Sequence, residues 1–238
     1  MLVNLGKFFF KYRNGLFPAI YLLLVLFTNP GVFLGDAHLD RFTSAAGILI
    51  ALAGETFRMI VIGFAYIRRG GKDGKVYADS LVQSGFFAHV RNPMYVGNYL
   101  IMLGFVLLYG SIWAYLLVLP FFTLIYYSIV KNEEDYLKRK FGREFENYSK
   151  NVNRFIPNLK GLKNSLRQFH YDWRKALKKE YGTIFVVLAG LLAIVIWKEI
   201  YFFGFENRRT EIWMLASLFI PVILFYGTIR YLKKRTGF

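Results

Sequence analysis

Residues 95–134 read YVGNYLIMLGFVLLYGSIWAYLLVLPFFTLIYYSIVKNEE, and this stretch decides the fold. It holds two uncharged apolar runs, Tyr95 to Tyr109 and Ile112 to Val130. A transmembrane helix needs about 20 apolar residues, and the Tyr109-Gly110-Ser111 junction is too short for a loop of any size, so the two runs predict a tight helical hairpin. The second run ends on Glu133-Glu134. Two like charges directly after an apolar span are costly unless something cationic shares the site. The bland alternative is that both open a surface helix, whose dipole favours negative charge.

Working outward, four more runs have the length and composition of spans: Leu16 to Leu34, Thr43 to Ile67, Thr183 to Phe203 and Ile212 to Tyr231. The expected fold is an all-α, polytopic transmembrane bundle of about six spans with amphipathic surface helices. The chain of 238 residues is 55% hydrophobic yet carries a net charge of +16, a combination that suits a membrane protein with basic loops. Outside the spans, all of the Lys and Arg except Arg41, Arg208 and Arg209 fall in one alternating set of loops. The positive-inside rule makes that set cytoplasmic, together with both termini and any site between them. Basicity alone could indicate a nucleic-acid binder, but apolar residues gathered into spans exclude that partner. The absence of cysteine excludes disulfides and thiolate chemistry. Lys7, Lys11 and Arg13 ahead of an apolar run, with no small-residue cleavage pattern after it, predict an uncleaved first span.

Between the fourth and fifth spans, Asn132 to Lys179 is dense in charge and aromatic residues. Tyr136, Leu137, Phe141, Phe145, Tyr148 and Val152 recur with helical spacing over Glu133 to Val152; Leu166, Phe169, Trp173 and Leu177 repeat the pattern over Leu162 to Tyr181. Both predict helices on the inner membrane surface, in contact with membrane lipids. Glu55 and Arg58, at i and i+3 inside the second span, share a face and predict an ion pair, with contact to a substrate head group as the other reading. His38 and His170 lack metal-ligand spacing, so no metal is expected. Gly70-Gly71-Lys72-Asp73-Gly74-Lys75 lacks the spacing of a phosphate loop and reads as a flexible turn.

Chemistry-bearing residues concentrate in Leu81 to Gly104 and Glu133 to Pro157. Pro93 pushes Asn92 out of the helical region and pre-sets the turn that follows, so a helix starts there with unpartnered N–H groups able to meet a ligand. Arg91-Asn92-Pro93-Met94-Tyr95-Val96-Gly97, then Glu133-Glu134, Phe141-Gly142, Tyr148 and Arg154-Phe155-Ile156-Pro157 resemble the isoprenylcysteine carboxyl methyltransferase and phospholipid methyltransferase superfamily over residues 79–157. The resemblance implies a single membrane domain with residues 79–157 as its methyltransferase core and residues 158–238 as an accessory surface helix and hairpin. It also implies an S-adenosylmethionine-dependent enzyme whose lipid-like or isoprenoid-like substrate comes from the bilayer and is methylated on a carboxyl or an amine. By position, Asp79, Ser80, Leu81, Val82 and Phe87 correspond to residues lining the cofactor site. Arg91, Asn92, Pro93, Met94 and Tyr95 occupy the place of its cofactor loop, and Glu133 that of its cofactor-binding glutamate. Glu134 and Arg154 match the pattern too, Arg154 toward the substrate. A carboxylate acceptor needs no base, whereas an amine acceptor must lose a proton, for which His89 or Tyr95 is the candidate.

Two departures matter. The family's usual His is Asn92 here, which keeps a hydrogen bond but not proton transfer. Ile129 stands where prenylcysteine enzymes carry a basic residue, four positions before Glu133, and Lys131 is the nearest cation. A membrane reductase using NADPH shares an Asn-Pro-x-Tyr element and is the alternative enzyme class; a non-catalytic membrane protein on the same fold is the third reading.

Overall fold

A computed structural model describes residues 1–64, 69–72 and 75–235. Helices dominate. In chain order they are α1 (Leu2–Phe27), α2 (Ala37–Phe64), α3 (Pro93–Tyr109), α4 (Leu119–Phe141), α5 (Arg143–Asn151), α6 (Leu162–Arg167), α7 (Trp173–Phe203), α8 (Arg209–Ser217) and α9 (Phe219–Arg235). One exception to the all-α expectation is an antiparallel hairpin of β1 (Arg69–Lys72) and β2 (Lys75–Ala78), in the register Gly70 to Tyr77 and Gly71 to Val76. The expected flexible turn is therefore largely strand, with Asp73 and Gly74 outside the described residues, as is Ile67 at the expected end of the second span.

Among the described residues, four helical segments are long and apolar enough to cross a membrane: Ala37–Phe64, Ala114–Phe141, Trp173–Phe203 and Glu206–Arg235. The count of about six is not reached, because the apolar part of α1 is only Gly15–Phe27 and α3 is only Pro93–Tyr109. Instead of preceding the first span, Lys7, Lys11 and Arg13 lie within α1, which ends at Phe27 rather than Leu34.

The α3–α4 hairpin turns at Gly110, whose φ of 71° is left-handed backbone open to glycine. Its two arms nevertheless pack mainly on other helices, α3 on α2 and α4 on α1. Phe17 of α1 meets Phe122 and Tyr126 of α4 at ring-centroid distances of 5.0 and 5.5 Å. Small residues bring α2 and α3 together. A Cβ on Gly104 would stand 2.4 Å from the Gly47 carbonyl oxygen and 2.6 Å from the Ala51 nitrogen. Where hydrocarbon surrounds the helices, such close backbone approach replaces the hydrophobic drive to associate. At the end of the bundle away from Glu133, Lys198 of α7 holds Asp40 of α2 at 3.0 Å.

Both expected surface helices are corrected. Glu133 to Val152 is not one helix lying on the membrane. Instead α4 runs on past Val130 to Phe141, Gly142 with φ 51° and ψ −122° breaks it, and α5 is a separate short helix that buries Phe145 and Tyr148. Leu162 to Tyr181 likewise divides. α6 has only six residues, and Asp172 caps a new helix by accepting from the Lys175 N–H at 2.9 Å, so residues 173–181 form the first turns of the α7 span. Helical periodicity survives such breaks, which is why the pattern alone joined the pieces.

Gly104→Ala should destabilise the protein by about 1–3 kcal/mol through overpacking, read as a lower thermal midpoint in detergent. An unchanged midpoint would contradict the close α2–α3 contact.

Candidate functional site

A cavity of about 720 Å³ lies where α1, α2, β2, the start of α3, the end of α4 and the start of α7 meet, within the roughly 300–1,000 Å³ usual for small-molecule sites. Its wall includes Phe87, Asn92, Met94, Tyr95 and Glu133. Pro93 at the first position of α3 fixes the entrance of that helix, and Asn92 before it is non-helical at φ −130°, ψ 57°. The buried Asn92 side chain donates to the Arg154 carbonyl at 3.2 Å, tying the α3 entrance to the segment after α5. Three residues on, Tyr95 Oη donates to Glu133 Oε1 at 2.5 Å and accepts from Arg13 at 3.4 Å.

Glu133 and Glu134, about 100° apart around one helix, turn to different neighbours. Glu133 faces the cavity, whereas Glu134 is not among its lining residues. Arg154 Nε and Nη2 reach the two Glu134 oxygens at 2.9 and 2.8 Å, and Arg91 Nη1 lies 3.2 Å from Oε1. The Glu134 carboxylate holds the Arg154 guanidinium above the ordinary arginine pKa, and that guanidinium also sits 5.4 Å from the centroid of Tyr127. Glu134, Arg91 and Arg154 thus form a brace behind the cavity, locking α4 to the segments on either side of the α3 entrance. The main-chain bond from Arg91 N–H to the Asn153 carbonyl, 2.8 Å, runs alongside it.

The other sequence-derived positions divide. Val76, Tyr77 and Ala78 line the cavity, whereas Asp79, Ser80, Leu81 and Val82 do not. Leu81 packs around Leu137, Phe145 and Tyr148, and Val82 packs with Val61, Phe86 and Phe87. Tyr77 donates its phenol proton to the Asp79 carboxylate, an interaction that raises the Tyr77 pKa. His89 is buried outside the lining. Its Nδ1 lies 2.6 Å from the Asn158 carbonyl and its Nε2 2.9 Å from Ser165 Oγ, so both ring nitrogens are engaged in holding the segment after α5. Glu55 and Arg58 are 3.6 Å apart, but the guanidinium makes its hydrogen bonds with Glu180 of α7, at 2.6 and 2.9 Å, and with Asn98. Arg58 lines the cavity and Glu55 does not.

Sequence reasoning missed Arg13, Asn98, Tyr126, Lys175, Lys179 and Glu180, all of which line the cavity. Arg13 and Glu180 sit inside long helices where the sequence placed loop or surface charge. Their signal was spacing: Arg13 is one turn from Phe10 and Phe17, which face the same cavity, and Glu180 stands one turn before the apolar run of α7.

Residues 43–144, from within α2 to the start of α5, match the family model for phospholipid methyltransferase. The chain is 30% identical over 157 residues to a protein-S-isoprenylcysteine O-methyltransferase of Schizosaccharomyces pombe, covering 66% of this chain and 61% of that protein. The corresponding Rattus norvegicus protein is 29% identical over 147 residues, 58% of this chain and 49% of that one. These matches support the isoprenylcysteine and phospholipid methyltransferase superfamily. A nickel-cobalt-cadmium resistance protein, NccN, of Alcaligenes xylosoxydans xylosoxydans is 24% identical over 155 residues, 65% of this chain and 69% of that protein. The chain thus spans about three-fifths of the first of these relatives and half of the rat protein. No solved structure gives a significant match. Within the superfamily match lie α2, α3, α4 and the Tyr95–Glu133 contact. All of α1, α7, α8 and α9 fall outside residues 43–144.

Arg154→Gln should lower stability by about 1–3 kcal/mol, since it leaves the Glu134 carboxylate with one cationic partner fewer in a half-buried setting. Chemical unfolding of the variant in detergent checks this, and wild-type stability would refute the brace.

Proposed function

We propose that the cavity binds S-adenosylmethionine and an acceptor from the bilayer, and that the protein transfers a methyl group between them. The observation that carries the reading is the convergence of Glu133 and the Pro93-led entrance of α3 on one cavity, joined by the Tyr95–Glu133 hydrogen bond. A carboxylate facing a cavity at the end of an apolar helix suits a cationic ligand.

The donor supplies a methyl group on a positively charged sulfur, which leaves neutral when an in-line nucleophile takes the methyl. The residues have correspondingly simple tasks. Glu133 offers negative charge, and Tyr95 fixes that carboxylate by donating its single proton to it. Asn92 contributes a polar side chain without acid-base chemistry. Phe87, Met94 and Tyr126 wall off water, and alignment in a dry site is the main source of rate for such a displacement. A carboxylate or phosphate acceptor needs no base. That suits a site whose His89 is engaged elsewhere and whose Tyr95 proton is already committed.

In this reading the end of the bundle carrying Glu133 faces the cytoplasm, where a water-soluble donor is available and where the basic segments belong. The apolar wall formed by Phe10, Phe17 and Val186 then accepts a lipid-like chain.

Glu133→Gln should abolish S-adenosylmethionine binding by calorimetry while leaving the thermal midpoint within a few degrees of wild type. Wild-type protein should gain thermal stability with S-adenosylmethionine and not with NADPH. Undiminished affinity in the variant, or stabilisation by NADPH alone, would overturn the assignment.

A further inference from the structure

The cavity wall has two origins. One part comes from the region that matches the family: Arg58, Phe87, Asn92, Tyr95 and Glu133 belong to it. The remainder comes from α1 and α7, outside that match, and it carries charge of a different balance. Arg13, Lys175 and Lys179 are cations, and Glu180 is the one acid among these lining residues. Glu180 is already committed to Arg58 by two hydrogen bonds of 2.6 and 2.9 Å. The α1–α7 part of the lining is therefore cationic, and Arg13 meets the Tyr95 hydroxyl that donates to Glu133.

Arg13 is the most telling of the three. Its guanidinium lies 4.2 Å from the centroid of Phe10 and 3.4 Å from Tyr95 Oη, and it pairs with no carboxylate among the described residues. A half-buried guanidinium held by a ring face and a phenol keeps most of its capacity to bind an anion. The same two helices edge the cavity toward the bilayer. α1 packs on α4 while α7 packs on α2, α3 and α9, and the residues they bring to the rim, Pro18 and Val186, are exposed. An amphiphile entering sideways would meet Phe17 and Val186 with its chain and Arg13, Lys175 and Lys179 with its head.

We propose that Arg13, with Lys175 and Lys179 of the same cavity lining, receives an anionic head group of the acceptor, a phosphate or a carboxylate, and so determines acceptor specificity from outside the family-matched region. This rests on the reading of the cavity as a methyl-transfer site. It places the acceptor's negative charge against α1 and α7 and leaves Glu133 to a cationic donor.

The test titrates the full chain, in an uncharged detergent at low salt, with four amphiphiles of equal chain length: dodecyl phosphate, dodecanoate, dodecanol and dodecyltrimethylammonium. S-Adenosylmethionine affinity is measured in parallel. An anionic probe should bind wild type at least about tenfold more tightly than the cationic or neutral one, and weaken as salt rises. Arg13→Gln should lose about tenfold in that affinity and Arg13→Lys much less. Lys175→Gln/Lys179→Gln, whose side chains lie at the more exposed rim, should show a similar loss while keeping donor affinity, which guards against a folding defect at Arg13. Tighter binding of the phosphate probe identifies a phosphate head group, and tighter binding of dodecanoate a carboxylate. Equal binding of dodecyltrimethylammonium, or anion affinity unchanged in both the Arg13→Gln and the double variant, overturns the proposal. Anion binding without any S-adenosylmethionine binding would sink the methyl-transfer reading alone and leave the anion site standing.

Discussion

Two carboxylates in succession at the end of an apolar helix impose the constraint on which this structure depends. Neighbouring side chains on a helix point about 100° apart, so one partner cannot satisfy both. Glu134 turns to Arg91 and Arg154 and Glu133 to Tyr95. Because those partners come from the α3 entrance and from the segment after α5, satisfying two charges on α4 draws three separate stretches of chain to one end of the bundle. The cavity lies in front of that brace, lined by α1, α2, β2, α3, α4 and α7, and Glu133 is the carboxylate of the pair that faces it.

The brace behind the cavity and the wall in front of it have different kinds of chemistry. Behind, Arg91, Glu134 and Arg154 are bound to one another, His89 is held by the Asn158 carbonyl and the Ser165 hydroxyl, and Tyr148 donates to the Phe87 carbonyl at 2.7 Å. These polar groups are consumed in fixing geometry. In front, Glu133, Asn92 and Tyr95 share the cavity lining with Arg13, which reaches Tyr95 Oη at 3.4 Å, and with Lys175 and Lys179 of α7. Groups of both signs in one cavity suit two ligands of opposite character held close together, as in the proposed methyl transfer between a cationic donor and an anionic acceptor.

Much of the architecture was legible because the bilayer imposes simple rules. Apolar runs gave the helices, Pro93 the start of α3, and Gly110 the turn between α3 and α4. The apolar parts of α1 and α3 are shorter than the four longer apolar helices, 17 residues at Pro93–Tyr109, so the expected count of about six rests on two short helices. Periodicity also joined what Gly142 and Asp172 separate. At the site, Phe87, Asn92, Met94, Tyr95 and Glu133 could be named from the ordered motif, and they do line the cavity. Local sequence could not tell that Glu134 turns away from it, because a one-residue step around a helix decides the direction, nor that Arg154, in the non-helical segment after α5, pairs with Glu134 there. For Arg13 and Glu180 helical spacing could show the face but not the partner, which comes from a helix more than 80 residues away in sequence, Tyr95 for the first and Arg58 for the second.

The central claim is that a sulfonium-bearing nucleoside sits between the α3 entrance and Glu133. Ultraviolet crosslinking of methyl-labelled S-adenosylmethionine to the purified protein, followed by peptide mapping, tests it most directly. The account predicts label on peptides spanning Phe87 to Tyr95 or Tyr126 to Leu137, competed away by the demethylated product. Label confined to other helices, or no competable label at all, would contradict it.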